Sequence, residues 1–223
     1  MNPFTPKFKD LPPKLPVFPL NGVLLLPGGT LPLNIFEPRY IAMIDDALAA
    51  PGRLIGMIQP ADFEPGGTHK APALQKIGCA GRISELHETA DGRYEITLTG
   101  ICRFKVDEEL SVTTLYRQVR PEWGGFEADT IPYECDELCK DRLKDLLKDY
   151  FQVQGMSCDW SKVDEAPKEK LLTCLSMICP FEPSEKQALL EAATPQARAE
   201  ILFKLLEFSV AGSRKPSDGA TRH

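Results

Sequence analysis

The sequence lacks any long run of apolar residues. Its longest apolar runs, such as residues 23–26, are far shorter than the roughly 18 to 20 residues that a membrane-spanning helix needs. The N-terminal stretch carries lysines, but six prolines between residues 3 and 19 interrupt it, so no apolar core of a signal peptide follows the positive charges. We therefore expect a cytoplasmic protein that does not associate with membranes.

The motifs of nucleotide hydrolysis and of common serine hydrolases are also missing. The pattern G-x-x-x-x-G-K-[ST], whose backbone amides and lysine cradle phosphates, does not occur, and residues 66–70, the nearest match, are followed by Ala-Pro-Ala rather than by a helical pattern. G-x-S-x-G is absent, and the only histidines are His69, His87 and His223. A catalytic Ser–Lys dyad remains an alternative, because sequence spacing does not exclude that such a pair meets in space. We expect a non-enzyme with no cofactor.

A basic surface for nucleic acid is not evident either. Lys and Arg total 26 against 32 Asp and Glu, which gives a net charge of −6. Binding to a phosphate backbone needs clustered Lys or Arg, and no predicted helix or strand carries a basic stripe. We therefore expect no nucleic-acid partner.

Cysteine is frequent, but its pattern does not predict a disulfide framework. Seven cysteines in a chain of this length form an odd, dispersed set, which favours reduced thiols. Four of them fall about one helical turn apart in two pairs, and four thiolates would suit zinc. Structural zinc usually takes C-x-x-C knuckles, so we favour buried apolar thiols and no metal. The two pairs are Cys135 with Cys139 and Cys174 with Cys179.

Residues 15–125 have the pattern of a β-rich subdomain. In residues 93–99 apolar and polar side chains alternate, which predicts a strand with one buried face. A helix is predicted to begin at Glu37-Pro38 and to end at Pro51-Gly52, because proline suits the first helical position. Further predicted strands are residues 15–20, 23–26, 31–35, 53–59, 76–86, 101–106 and 114–120.

Residues 133–211 are predicted to be helical. One helix has an apolar stripe from Cys139 to Tyr150, and a second runs over residues 168–179. The third is predicted to start with a capping box of Ser184 and Gln187, and the fourth, from Thr194-Pro195, to bury residues that include Ile201, Leu202, Leu205 and Phe208. An extended arm (1–14) and a loose tail (212–223) flank an α+β chain, with the junction of its two halves at residues 121–132.

Several segments resemble, in order, the substrate-binding domain family of Lon-type proteases. They are residues 15–20, 22–27, 31–33, the block Ile35-Phe36-Glu37-Pro38-Arg39-Tyr40, residues 78–83, 91–93 and 100–104, and later residues 185–191 with Arg198. The resemblance implies a β-rich PUA-like pseudo-barrel followed by a C-terminal helical bundle. It also implies a non-catalytic module, without ATPase or protease domains, that binds unfolded or hydrophobic polypeptide segments or a dedicated protein partner.

Four aromatic residues are candidates for peptide binding: Phe36, Tyr40, Trp123 and Phe126. Packing within the protein is the competing role for each of them. The block Glu37, Pro38, Arg39 and Tyr40 is predicted to be structural, with Glu37 accepting hydrogen bonds at the helix start and Arg39 bonding to the barrel. RNA binding through the PUA-like part, or binding of a small molecule, remains the alternative function.

Overall fold

The computed structural model describes residues 6–61, 72–133 and 140–213. Within these ranges the chain contains both sheet and helices, which confirms the predicted α+β class. The strands are β1 (Leu15–Pro19), β2 (Thr30–Ile35), β3 (Leu54–Ile58), β4 (Ile77–Glu88), β5 (Tyr94–Glu109) and β6 (Gln118–Glu122). The helices are α1 (Pro38–Ala49), α2 (Lys140–Gln154), α3 (Trp160–Glu165), α4 (Lys168–Ile178), α5 (Pro183–Glu191) and α6 (Pro195–Ser213), with 3-10 turns at Phe8–Asp10 and Glu127–Thr130.

The strands form one sheet that closes on itself. Their order is β2-β5-β4-β3-β1-β6, and β5 also pairs with β6. The first half of β5 pairs with β2 and its last residues pair with β6, while β4 runs along its other edge. Five strands therefore make a closed barrel, and β2 lies beside it as an added edge strand. Only β1 and β3 pair in parallel among the described strands.

The predicted strand at residues 23–26 is wrong. This segment forms no strand, although Leu24, Leu25 and Leu26 are almost completely buried. It crosses β5 at Gly100, whose backbone exchanges hydrogen bonds with Gly28 (2.9 Å) and Gly29 (2.8 Å). A Cβ at position 100 would lie 2.0 Å from the Leu26 carbonyl oxygen. The leucines therefore fill the core from a crossing segment, and only glycine permits the crossing.

Part of the helical region belongs to the same compact unit as the strands, contrary to the predicted division. The described residues up to Tyr133 form one compact unit together with Thr173–Glu191, whereas the described residues from 140 to 172 and from Ala192 onward form another. The sequence pattern predicts a single helical subdomain over residues 133–211, so this prediction does not match the two units. Buried polar contacts explain the difference, because side chains of α5 bond to the barrel.

Gln187 is the centre of these contacts. Its side-chain amide accepts a hydrogen bond from Gln59 Nε2 (3.1 Å) and donates to the Ile77 carbonyl (3.1 Å). The predicted capping box of Ser184 and Gln187 is therefore wrong. Its place is taken two residues earlier, where the Glu182 amide donates to the Glu185 carboxylate at 2.9 Å.

The second unit is built around α2 packed against α6. Helix α2 buries Leu143, Leu147, Tyr150 and Phe151. Helix α6 buries Ala199, Leu202, Leu206 and Val210, whereas Phe208 is 75% exposed, contrary to prediction. Phe208 lies about 200° around the helix from both Leu206 and Val210, at about 100° per residue. No described helix combines the length and the apolar composition needed to cross a bilayer.

Candidate functional site

The start of α1 differs from the predicted arrangement of the Glu37-Pro38-Arg39-Tyr40 block. Pro38 occupies the first turn, as predicted, and the Glu37 carbonyl accepts hydrogen bonds from the amides of Tyr40 (2.9 Å) and Ile41 (3.0 Å). The Glu37 side chain makes no capping bond. Its carboxylate instead binds Arg39 at 2.8 Å. Caps favour shorter polar side chains than glutamate. Glu37 therefore accepts hydrogen bonds at the helix start as predicted, but through its backbone carbonyl. Arg39 bonds to Glu37 within the block instead of to the barrel.

The two aromatic candidates near α1 have different environments. Tyr40 is only 7% exposed. Its ring lies against Phe18, with centroids 4.1 Å apart, and the Arg39 guanidinium lies 4.5 Å from its centroid. Burial raises the pKa of Tyr40 above its usual value, although the nearby Arg39 charge opposes this. Phe36, by contrast, is 63% exposed. Tyr40 therefore fixes the helix, and Phe36 is available for contact.

Tyr40 also lines a groove in the β-rich unit, with a cavity volume of about 380 Å³. The groove lies between the end of β1, the start of α1 and the segment before β6. Leu115, which lines it, is 70% exposed. Three prolines and two tyrosines make most of its surface apolar. The lining residues are Pro19, Leu20, Asn21, Arg39, Tyr40, Pro60, Pro72, Leu115, Tyr116 and Arg117.

The two arginines of the groove are both paired with carboxylates. Arg39 is bound to Glu37 at 2.8 Å. Arg117 donates from Nε and Nη2 to the two carboxylate oxygens of Glu109, each at 2.6 Å, and from Nη1 to the Pro72 carbonyl at 2.8 Å. This contact with Arg117 holds the pKa of Glu109 below its usual range. The groove therefore presents an apolar and nearly neutral surface.

Two tyrosine–aspartate hydrogen bonds fix α1 beside the groove. Tyr116 donates its hydroxyl to Asp46 at 2.6 Å, and Tyr94 donates to Asp45 at 3.0 Å. Burial and the bond to Asp46 raise the pKa of Tyr116. The sequence does not reveal these contacts, because the tyrosines lie 49 and 70 positions from their aspartate partners.

Trp123 and Phe126 lie elsewhere in the β-rich unit. Both pack against a core cluster that contains Phe104. The Trp123 ring meets Phe104 edge-on at 5.9 Å, and its Nε1 donates to the Pro12 carbonyl at 2.9 Å. Neither residue lines the groove. The four predicted aromatic candidates therefore do not form one site.

No metal site is present in the described part of the chain, where no group of three or more His, Cys, Asp or Glu side chains is placed to hold an ion. Cys174 is exposed and Cys179 is buried, so this pair does not share a face. His87 is exposed at the end of β4. The other predicted ligand and base candidates, Cys135, Cys139, His69 and His223, lie outside the described residues.

Comparison with known proteins identifies the family. Residues 14–207 match the family described as the ATP-dependent protease La (LON) substrate-binding domain. Because this match spans most of the sequence, the chain belongs to that family. The resemblance inferred from the residue pattern is therefore confirmed.

Individual relatives agree with this assignment. The chain is 32% identical over 206 residues to a Lon protease of Anaeromyxobacter dehalogenans, covering 89% of this chain and 23% of that protein. It is 33% identical over 144 residues to a Lon protease of Flavobacterium johnsoniae, covering 61% of this chain and 17% of that protein. The chain thus spans about a quarter or less of the length of these curated relatives.

Two solved structures share the fold. The N-terminal domain of Mycobacterium avium complex Lon protease aligns with a TM-score of 0.62 at 17% identity, covering 87% of this chain and 98% of that one. The Lon N-terminal domain protein from Xanthomonas campestris aligns with a TM-score of 0.56 at 23% identity, covering 86% and 97%. At these low sequence identities, the alignments show a shared fold.

Proposed function

We propose that this chain binds polypeptide segments through their exposed apolar side chains, at the groove lined by Tyr40 and Leu115. Its membership in a family of substrate-binding domains supports a polypeptide ligand. The observation that carries the location is Leu115, a large apolar side chain left 70% exposed beside a concave surface. Unfolded chains differ from folded ones chiefly in exposed apolar surface, which such a groove would cover.

The chemistry of the groove favours an apolar ligand over a charged one. Its arginines already bind Glu37 and Glu109, so an acidic segment would have to compete with carboxylates in place. The prolines of the lining have no amide N–H to donate. Binding then depends on burial of apolar surface, and the cost of ordering a flexible chain offsets much of that gain. We expect affinities on the order of micromolar or weaker.

We further propose that this binding is not coupled to catalysis by the 223-residue chain. A phosphate-cradling loop does not occur in its sequence, and the acidic charge balance disfavours RNA as the ligand. The proposed role is in cytoplasmic protein quality control, where misfolded chains expose apolar segments.

The test compares two exposed aliphatic side chains of equal size. Leu115→Ser removes the apolar side chain of the groove, and Ile131→Ser removes one that is 62% exposed but outside the groove. A fluorescent unfolded polypeptide and its folded counterpart are titrated with each variant. We expect Leu115→Ser to weaken binding of the unfolded form about tenfold, equivalent to about 1.4 kcal/mol, and Ile131→Ser to leave it unchanged.

Two outcomes would contradict the proposal. Equal binding of the unfolded and folded forms would show that the chain does not prefer exposed apolar segments. Equal effects of the two substitutions would show that the groove is not the binding site. In parallel, casein is incubated with the purified chain with and without ATP. ATP-dependent cleavage by the pure chain would overturn the non-catalytic assignment.

A further inference from the structure

In the N-terminal arm (residues 6–14), the residues on either side of one 3-10 turn have extended backbone. Lys7 has φ −74° and ψ 155°, and Leu11 has φ −67° and ψ 138°, both close to polyproline II values. The 3-10 turn between them is closed by hydrogen bonds from the Asp10 amide to Lys7 (2.8 Å) and from the Leu11 amide to Phe8 (3.2 Å). Pro12 and Pro13 follow, and proline keeps the preceding residue extended.

The arm packs against the core of the barrel and is bonded by Trp123. Phe8 and Leu11, three residues apart, pack against the core cluster that Trp123 and Phe126 also contact. The Trp123 indole donates its N–H to the Pro12 carbonyl at 2.9 Å. Apolar anchors and a main-chain carbonyl bonded from an aromatic rim are the features by which aromatic-lined grooves bind proline-rich segments. The arm thus lies on this surface as a ligand would.

The same arm is poorly packed on another side. It borders a cavity of about 630 Å³, which Ala47 of α1 and Ala50 at the end of that helix also line. Lys7, Lys9, Asp10, Pro13 and Lys14 are exposed. Segments with few buried contacts and exposed backbone open locally at low free-energy cost. The arm is therefore suited to leave its surface without unfolding the barrel.

We propose that Trp123, Phe126 and the core residues beside them form a second peptide site, and that the arm occupies it as an intramolecular ligand. The site takes segments in which a 3-10 turn places two apolar anchors three residues apart, followed by Pro-Pro. An external segment of this kind competes with the arm, whose effective concentration is on the order of millimolar for so short a connection. This inference is independent of the groove at Tyr40.

The arm can be weakened without changing the surface that receives it. Phe8→Ser with Leu11→Ser removes both anchors, and Trp160→Phe leaves Trp123 as the only one of the two tryptophans. In this background the emission of Trp123 reports the release of its hydrogen bond and its exposure. We expect a red shift on loss of the anchors and its reversal when a peptide of residues 6–14 is added.

Affinity is measured by the anisotropy of the same peptide carrying a fluorescent label. If the arm occupies the site in about nine-tenths of the molecules, only about one-tenth of the sites are free to bind the peptide. We therefore expect the anchor variant, whose site is free, to bind the peptide about tenfold more tightly than the chain with an intact arm. A peptide with Pro12→Ala and Pro13→Ala keeps the anchors but loses the extended conformation, and should bind much more weakly. Leu115→Ser in the protein should leave affinity for the arm peptide unchanged, which separates this site from the groove.

Equal affinity of the anchor variant and the intact chain, or of the two peptides, would overturn the proposal. If the anchor variant does not fold, judged by circular dichroism, the unaltered chain provides the test. Excess arm peptide must then speed hydrogen exchange at the amides of Asp10 and Leu11, which are protected in the turn. Unchanged exchange at millimolar peptide would equally refute an exchangeable arm.

Discussion

Removal of the carboxylate at Asp129 should be among the most destabilising single changes in the β-rich unit. Arg103 and Asp129 form a bidentate ion pair, with Nε–Oδ2 at 2.9 Å and Nη2–Oδ1 at 2.8 Å. Their side chains are only 7% and 8% exposed. Asp129 also accepts the Arg103 backbone amide at 2.9 Å, and Arg103 Nη1 donates to the Leu190 carbonyl at 3.0 Å. One pair thus joins β5, the 3-10 turn at Glu127–Thr130 and α5.

The expected magnitude follows from the burial of the pair. Asp129→Asn keeps the shape of the side chain but removes the negative charge that both carboxylate oxygens present to the buried guanidinium. Breaking a buried ion pair in this way costs about 3–5 kcal/mol, a large share of the roughly 5–15 kcal/mol that stabilises a typical domain. The control is Glu122→Gln, which breaks a pair with Lys105 whose side chains are about half exposed. Exposed pairs contribute little because water screens them.

Urea unfolding, followed by tryptophan emission, measures the difference between these variants. Trp123 lies in the β-rich unit and Trp160 in the helical unit, so each variant is also made with Trp160→Phe to follow the β-rich unit alone. We expect a much lower unfolding midpoint for Asp129→Asn and little change for Glu122→Gln. Similar midpoints for the two would show that the buried pair does not hold these elements together.

Three other predictions follow from individual sites. Gly100→Ala should lower the free energy of unfolding by at least about 3 kcal/mol. The added methyl group overlaps the Leu26 carbonyl, and the two backbone hydrogen bonds of Gly100 to Gly28 and Gly29 are lost. The control is Gly124→Ala, because a Cβ at that position has no neighbour within 4 Å. Arg117→Met should return the lowered pKa of Glu109 to its usual range in an NMR titration. The stabilisation from this pair is present above the ordinary glutamate pKa and is lost as pH falls through the lowered value. In native thiol titration, exposed Cys174 should react before the buried cysteines.

The sequence predicted most elements because their signals are local. The alternation at residues 93–99 gave the first half of β5, and Pro38 gave the start of α1. The predicted second helix, residues 168–179, differs from α4 by one residue. These signals depend on proline geometry and on the period of apolar residues, which act over one or two turns of chain.

The predictions were wrong where an apolar pattern did not determine the secondary structure or the side of a helix that becomes buried. The leucines at 24–26 are buried, as apolar residues should be, yet the segment crosses Gly100 instead of pairing as a strand. Phe208 lies on an apolar stripe of α6, but it is about 200° around the helix from Leu206 and Val210, which the helix buries instead. Periodicity shows which residues share a face, and the packing partner decides which face is covered.

The sequence by itself determined the α+β class, the β-rich first half and the family of this chain, because local periodicity and an ordered set of short motifs carry that information. Only the tertiary structure assigned α5 to the barrel and the arm to Trp123. Gln59 meets Gln187 across 128 positions, and Trp123 meets Pro12 across 111. From the sequence, one can infer that a buried glutamine amide or indole N–H needs a hydrogen-bond partner, but not which residue that partner is. The closure of the barrel decides which distant carbonyl or amide becomes that partner.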